Sequence, residues 1–345
     1  MATVAPIALI PRPVAGSVEE LLAGATGRER FVTEDSKSGV PFERCIIGGA
    51  PHVVKYLHVD DDWISRAYGD LRGRPLAVWR SGLLDALPPC IDHAVVGAAT
   101  GLGRHGWGAA LLMRDVSAHL VPPGDAPLPF EQHRRFLDHM AALAAHFWGF
   151  TDTIGLTPIR NRWLCFGPGM LAAEAERGWP DAVPPIVAQG WDRFRAQAPK
   201  SLATVVADLV QDLAAPLVDA LSATPFTFLH GDWKCGNLGT TPDGRTILLD
   251  WAGPGAGPAC QDLGWYLAIN RARLPEPKEE AIAAFRASLE AAGVATDHWW
   301  DRQLSLCLLA VTVQFGWEKA LGEGADGEAE LGWWTDAARA GLRYL

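Results

Sequence analysis

Lysine is scarce in this 345-residue chain: it occurs only at positions 37, 55, 200, 234, 278 and 319, and arginine supplies most of the positive charge. The formal net charge is −10, which argues against nucleic acid or an anionic membrane as the main partner and suits a neutral or cationic small molecule. The six cysteines, at 45, 90, 165, 235, 260 and 307, contain no C-x-x-C pair. That excludes a disulfide framework and a zinc site and fits a reducing compartment. Long apolar runs are also missing. The longest, around 304–317, carries Thr312 and Gln314 and is too short to cross a bilayer. The N-terminus, MATVAPIALIPRPVAG, lacks a basic n-region and is broken by three prolines, so it does not read as a signal peptide and a cytoplasmic protein is expected. No internal repeat or low-complexity tract stands out, and nothing in the sequence fixes an oligomeric state.

What is present concentrates in residues 226–267, FTFLHGDWKCGNLGTTPDGRTILLDWAGPGAGPACQDLGWYL. The apolar run Phe226–Leu229 feeds into His230-Gly231-Asp232-Trp233-Lys234-Cys235-Gly236-Asn237. A turn with Pro242, Asp243 and Gly244 follows, then a second apolar run at 247–249 that ends on Asp250. The pattern predicts a hairpin-like unit with a carboxylate and an amide on its first loop and another carboxylate after its second strand. Oxygen-bearing side chains on two adjacent loop ends can meet around a hard cation. With Asn237 and Asp250 on the metal, Asp232 is left to orient an incoming hydroxyl. This is the phosphoryl-transfer arrangement, in which an Asp faces the nucleophile while an Asn five residues later and a further Asp hold Mg²⁺ against the phosphates.

The motifs H-G-D-x-x-x-x-N at 230–237, L-D-W at 249–251 and G-P-x-x-x-D-L at 257–263, in that order, resemble the aminoglycoside phosphotransferase and choline kinase-like family. This is a small-molecule branch of the protein-kinase-like fold. The resemblance implies a two-lobed α+β fold, with a small β-rich N-terminal lobe at 1–115 and a larger helical lobe at 116–345 for catalysis and acceptor binding. It implies ATP and Mg²⁺, with Asp232 as the catalytic Asp, Lys234 reaching the transferred phosphate, Asn237 and Asp250 as metal ligands, and Asp262 buttressing the catalytic loop from a helix N-terminus. His230, at a strand end, reads as a loop anchor. A metallophosphoesterase could offer the Gly-Asp and Gly-Asn pairs at 231–232 and 236–237, but it needs further His and Asp ligands where Leu238-Gly239-Thr240 stand.

Residues 27–57 read as the β-rich start of a nucleotide-binding lobe. Ser36-Lys37-Ser38-Gly39-Val40 is a small-residue turn, either a hairpin tip or a cradle in which Ser38 and Gly39 lay backbone N–H groups over phosphates. In the run His52-Val53-Val54-Lys55-Tyr56-Leu57, alternation places Lys55 on one face with Val53 and Leu57. An ammonium there is costly unless an anion meets it, and the run matches the kinase V-A-I-K pattern whose lysine binds phosphates. The chain departs from the family in having no Glu between Glu43 and Glu131 to pair with Lys55. The nearest acids are Asp60, Asp61, Asp62, Asp70 and Asp85; Asp70 has suitable spacing or supports a loop, and a helix is expected over 75–87. Strands are expected at 91–97 and 107–116. By order in the family, the linker near 113–116, with Met113 and Asp115, then meets the adenine edge.

From 129 the period becomes helical, with apolar residues at 136, 137, 140, 143, 144 and 147. A second helix is expected over 201–222, kinked or divided by Pro216. Residues 150–200 read as irregular apart from a short helix near 169–178. Further helices are expected near 260–272, 278–292, 297–321 and 328–344. Among fifteen tryptophans, Trp233 and Trp251 adjoin Asp232 and Asp250 and are expected to shape an acceptor pocket. The acidic segment 318–330 is either a solvated face or a seat for an amine. The sequence therefore points to an ATP-dependent phosphotransferase acting on a hydroxyl of an aminoglycoside or other hydroxylated antibiotic, a sugar or amino sugar, or an amino alcohol. The alternatives are a pseudokinase-like nucleotide-binding module and a metal-dependent phosphohydrolase.

Overall fold

A computed structural model describes residues 9–31, 40–178 and 181–345. The cradle expected at Ser38 and Gly39 lies outside the described residues.

A short helix α1 (Val18–Leu21) leads into strands β1 (Thr26–Phe31), β2 (Phe42–Ile47) and β3 (Ala50–Leu57). Helices α2 (Trp63–Ala67) and α3 (Arg74–Ser81) follow, then β4 (Ile91–Asp92), β5 (Val95–Leu102) and β6 (Gly108–Arg114). An antiparallel sheet runs β1-β2-β3-β6-β5. Because successive strand side chains alternate in direction, Val54 and Tyr56 of β3 join a small cluster with Leu22, Cys45 and Leu112, whereas Leu57 belongs to the main core. Lys55 shares the Leu57 face.

Two expectations change here. The single strand at 91–97 is two, because Asp92 Oδ1 accepts the Ala94 N–H at 3.1 Å and Ala94 takes a φ of 57°. This Asx turn breaks the extended run. Strand β4 then pairs in parallel with Thr246 and Ile247, across the division expected at 115–116. The helix over 75–87 stops at Gly82, whose left-handed φ of 77° caps α3 before a single 3₁₀ turn, Leu83–Ala86.

The larger part of the chain contains α4 (Phe130–His146), α5 (Ile159–Leu164), α6 (Pro168–Arg177), α7 (Val183–Gln197), α8 (Lys200–Gln211) and α9 (Ala215–Ser222). Next come β7 (Phe226–Leu229), β8 (Leu238–Thr240), β9 (Thr246–Leu248) and β10 (Gly255–Pro258), then α10 (Cys260–Ile269), α11 (Lys278–Ala291), α12 (Trp300–Lys319) and α13 (Gly324–Gly341). The α4 stripe is buried through Phe136, Leu137, Met140, Leu143 and Ala144. Helices α8 and α9 meet at 88°. The bend falls at Leu213 and Ala214, both with positive φ, and Pro216 opens α9, where its missing N–H leaves no helix bond unmade.

The stretch expected to be irregular holds α5 and α7 as well as α6. Pro184 and Pro185, in this proline-rich stretch, sit in the first turn of α7, where proline is tolerated. Helix α12 is buried along most of its length, Leu306 to Trp317 included, and forms the spine of this lobe. Among the described residues no single helix is long and apolar enough to cross a membrane.

Candidate active site

The 230–237 loop leaves β7, whose last residue pairs with Gly255 of β10. His230 is fully buried; its Nδ1 accepts the Asp232 N–H at 3.1 Å, and its ring meets Trp251 edge-on at 4.6 Å. Burial drives its pKa down to about 3, so the imidazole is neutral and holds the turn. Gly231 has a φ of 89°, and a Cβ there would lie 2.2 Å from Arg162 Nη2 and 2.4 Å from the Gly253 carbonyl. Only glycine fits.

Helix α10 grips this loop at both ends. Asp262, in its first turn, accepts the His230 N–H at 2.8 Å through Oδ2 and the Gly231 N–H at 3.0 Å through Oδ1. Arg162 of α5 donates to the same Oδ1 at 3.2 Å and also to the Gly253 carbonyl, tying the two loops together from beneath. Burial pushes the Asp262 carboxyl up to about 6, with the Arg162 charge and the two amides pulling the other way. At the far end of the helix, Asn270 Oδ1 accepts the Cys235 N–H at 2.7 Å, while its Nδ2 donates to the Trp233 carbonyl at 3.1 Å.

Between these clamps, Asp232 Oδ2 accepts from Asn237 Nδ2 at 2.8 Å and lies 3.1 Å from Lys234 Nζ. Asp232 Oδ1 accepts the indole N–H of Trp265 at 3.0 Å. The Asn237 carbonyl accepts the Leu249 N–H at 2.9 Å, which seats Asn237 beside Asp250. Asp250 is left-handed, with a φ of 63°, and its Oδ1 accepts from Lys55 Nζ at 2.7 Å. Burial raises the Asp250 pKa, but Lys55 and Lys234 outweigh it and hold the group down at about 2.

Two oxygens, Oδ1 of Asn237 and Oδ2 of Asp250, make no hydrogen bond to another described residue. A pair of oxygens on adjacent loop ends suits Mg²⁺, which takes one or two protein ligands and completes its shell with water and phosphate. Among the described residues no group of three His, Cys, Asp or Glu could hold a metal, so this pair would need the phosphates to complete it.

Asp62, on the same lobe as Lys55, has a buried carboxylate that caps α2 through the Ile64 N–H at 3.0 Å and the Ser65 hydroxyl at 2.6 Å. Burial raises its pKa and the neighbouring Lys55 opposes this. Asp70 is not the lysine's partner. It accepts the Gly73 N–H at 2.9 Å and the Arg74 N–H at 2.6 Å, supporting the loop that starts α3. Asp85 is paired with Arg12.

Trp233 and Trp251 are buried and do not line an open pocket. Trp251 stacks on Phe228 and donates to the Leu248 carbonyl, so both rings back the loop from the core side. Trp265 is the tryptophan that reaches Asp232. It stands one helical turn after Asp262, with Asn270 two turns on, so helix periodicity from Asp262 would have pointed to both.

Met113 lies in the sheet opposite Val53, and the Asp115 N–H is already taken by the Pro51 carbonyl at 3.1 Å, so it is not available to an adenine edge. The acids at 318 and 330 are engaged by Lys278 and Lys319, which removes them as a ready amine seat. A G-x-G-x-x-G stretch, Gly101 to Gly106, forms the β5–β6 hairpin tip, at the opposite end of β6 from Met113. Two concavities of about 300 Å³, one beside Arg66 and Glu174 and one beside Lys278 and Trp333, include none of the Asp232 cluster.

In fold the chain is similar to choline kinase LicA from Streptococcus pneumoniae, at 11% identity and a TM-score of 0.52 over 93% of this chain and 96% of that one. It is equally similar to LicA in complex with AMP, at 11% identity and a TM-score of 0.51 over 95% and 96%. The aminoglycoside phosphotransferase APH(4)-Ia is similar at 15% identity, with a TM-score of 0.46 over 94% and 96%. The LicA likeness identifies the fold as the two-lobed, protein-kinase-like α+β architecture. No curated protein matches the sequence. The family model described as the phosphotransferase enzyme family matches residues 83–299, more than half of the chain, and the chain therefore belongs to that family.

Proposed function

We propose that this chain transfers the γ-phosphate of ATP to a hydroxyl of a small molecule, in the cleft between the β3 face and the 230–250 loops. The observation that carries the reading is the Lys55–Asp250 pair at 2.7 Å, which brings the strand lysine of the N-terminal sheet to the loop end beside Asn237 and Asp232. Lys55 and Lys234 would offset the phosphate charge, and the lobes would divide at 115–116. Asp232 would accept a hydrogen bond from the acceptor hydroxyl. The acceptor oxygen bonds to the γ-phosphorus, the bond from that phosphorus to the β–γ bridging oxygen breaks, ADP leaves, and the hydroxyl proton passes late to Asp232. Asn237 and Asp250 would hold Mg²⁺, which supplies charge neutralisation at the phosphates. Most of the rate would then come from positioning and fixed charge.

The test is acceptor-dependent ADP formation from Mg-ATP across a panel of choline, 1-aminopropan-2-ol, glucosamine and hygromycin B, with the phosphorylated product identified by mass. Turnover of at least one hydroxylated compound is expected. Nucleotide binding without turnover across a broad panel would instead make this a nucleotide-binding module, and phosphate release from esters without ATP a hydrolase.

A further inference from the structure

Asp232 is held by donors of two different kinds. Its Oδ2 meets the amide of Asn237 at 2.8 Å and the ammonium of Lys234 at 3.1 Å, both from its own loop. Its Oδ1 meets one protein donor among the described residues, the neutral indole N–H of Trp265 at 3.0 Å, which arrives from α10. A carboxylate oxygen offers two lone pairs, so the indole fills one on Oδ1 and leaves the other. The loop donors can move with the loop; the indole cannot. Trp265 is 5% exposed, its ring meets Phe315 of α12 edge-on at 4.8 Å, and Phe315 in turn packs on Phe166 at 5.3 Å.

Building on the kinase reading above, we infer that Trp265 is a positioning residue for phosphoryl transfer: its N–H fixes the rotation of the Asp232 carboxylate and reserves the second lone pair of Oδ1 for the acceptor hydroxyl. The rigid aromatic packing behind the indole is what makes it a stop, since a rotation of Asp232 would break the Trp265 and Asn237 bonds together. A neutral donor suits this task. It adds no charge to compete with the phosphates for Lys234, and it does not titrate. The acceptor carbon bearing the hydroxyl must then lie beside the indole edge, so Trp265 also limits the shape of what can dock there.

The experiment compares wild type, Trp265→Phe, Trp265→His and Asp232→Ala for kcat and KM on the panel compound turned over fastest, or on water as acceptor by phosphate release if none is. Thermal melting confirms that each variant is folded. Trp265→Phe keeps an aromatic ring and removes the N–H. It is expected to lower kcat by about 10- to 100-fold with KM for ATP within twofold, the size of effect that small misplacements of a reacting group produce. Trp265→His, which restores a ring N–H, is expected to recover part of the loss. In ¹⁵N-labelled protein the indole resonance missing from Trp265→Phe should move in Asp232→Ala, a readout independent of turnover. A Trp265→Phe kcat within twofold of wild type, or an indole resonance indifferent to Asp232→Ala, would overturn the inference while an inactive Asp232→Ala leaves the kinase reading standing. An Asp232→Ala variant with full activity would remove the kinase reading itself.

Discussion

Lys55 and Asp250 lie 195 positions apart in sequence, and Lys55 Nζ stands 2.7 Å from Asp250 Oδ1. The lysine comes from a strand whose alternate residues enter a separate cluster; the aspartate comes from a loop end in left-handed conformation. Their pairing ties the N-terminal sheet to the 230–250 loops and leaves Asp250 Oδ2 without a hydrogen bond to another described residue.

Lys55→Met should therefore act twice. The affinity for Mg-ATP is expected to fall at least about tenfold, the scale of one charge-assisted contact to phosphate. Stability should also change its dependence on pH. Asp250 sits at about 2 against an ordinary 3.8, so its contribution is complete above about pH 4 and is lost as the pH falls towards 2. Removing Lys55 should shrink that acid-side step, measurable as Tm against pH.

Gly231→Ala should destabilise the fold by more than about 1 kcal/mol and abolish activity, because the left-handed φ and the approach of Arg162 and Gly253 leave no room for a methyl group. Denaturant unfolding measures the first effect. Gly244→Ala, at a turn with a similar φ of 87° and nothing within 4 Å, should cost stability with little loss of turnover.

Arg162→Met leaves Asp262 buried without its cation, a change expected to cost about 3–5 kcal/mol. The loss should depend on pH. The Asp262 pKa is already raised from 3.8 to about 6, so the fold binds its proton more readily than the unfolded chain and stability from this group declines as pH rises between those values. Without the guanidinium the decline continues to higher pH. The Tm difference between Arg162→Met and wild type should widen above pH 6 and narrow below it.

The relative placement of the loop residues could be read from the sequence because spacing within a short loop fixes relative position: Asp232 and Asn237 touch, as five residues around a tight turn allow. Contacts made across the fold were not legible in the same way. Nothing local marks Asp250 as the partner of Lys55, or Arg162 as the residue beneath Gly231, since both depend on how separate elements pack. Trp233 and Trp251 adjoin Asp232 and Asp250 in sequence, but adjacent residues need not point the same way, and these two rings face the core. Helix α7 is hidden for a different reason: proline breaks a helix interior but favours a helix start, and sequence alone leaves open which of these Pro184 and Pro185 do.

Asp232 offers the most direct test of a phosphoryl-transfer centre in these loops. Wild type and Asp232→Ala should be compared for Mg-ATP binding by calorimetry and for turnover with the fastest acceptor. The expected result is a Kd for Mg-ATP within about threefold of wild type and turnover lower by about 10²-fold or more. Turnover undiminished in Asp232→Ala would contradict the claim that these loops form a phosphoryl-transfer centre.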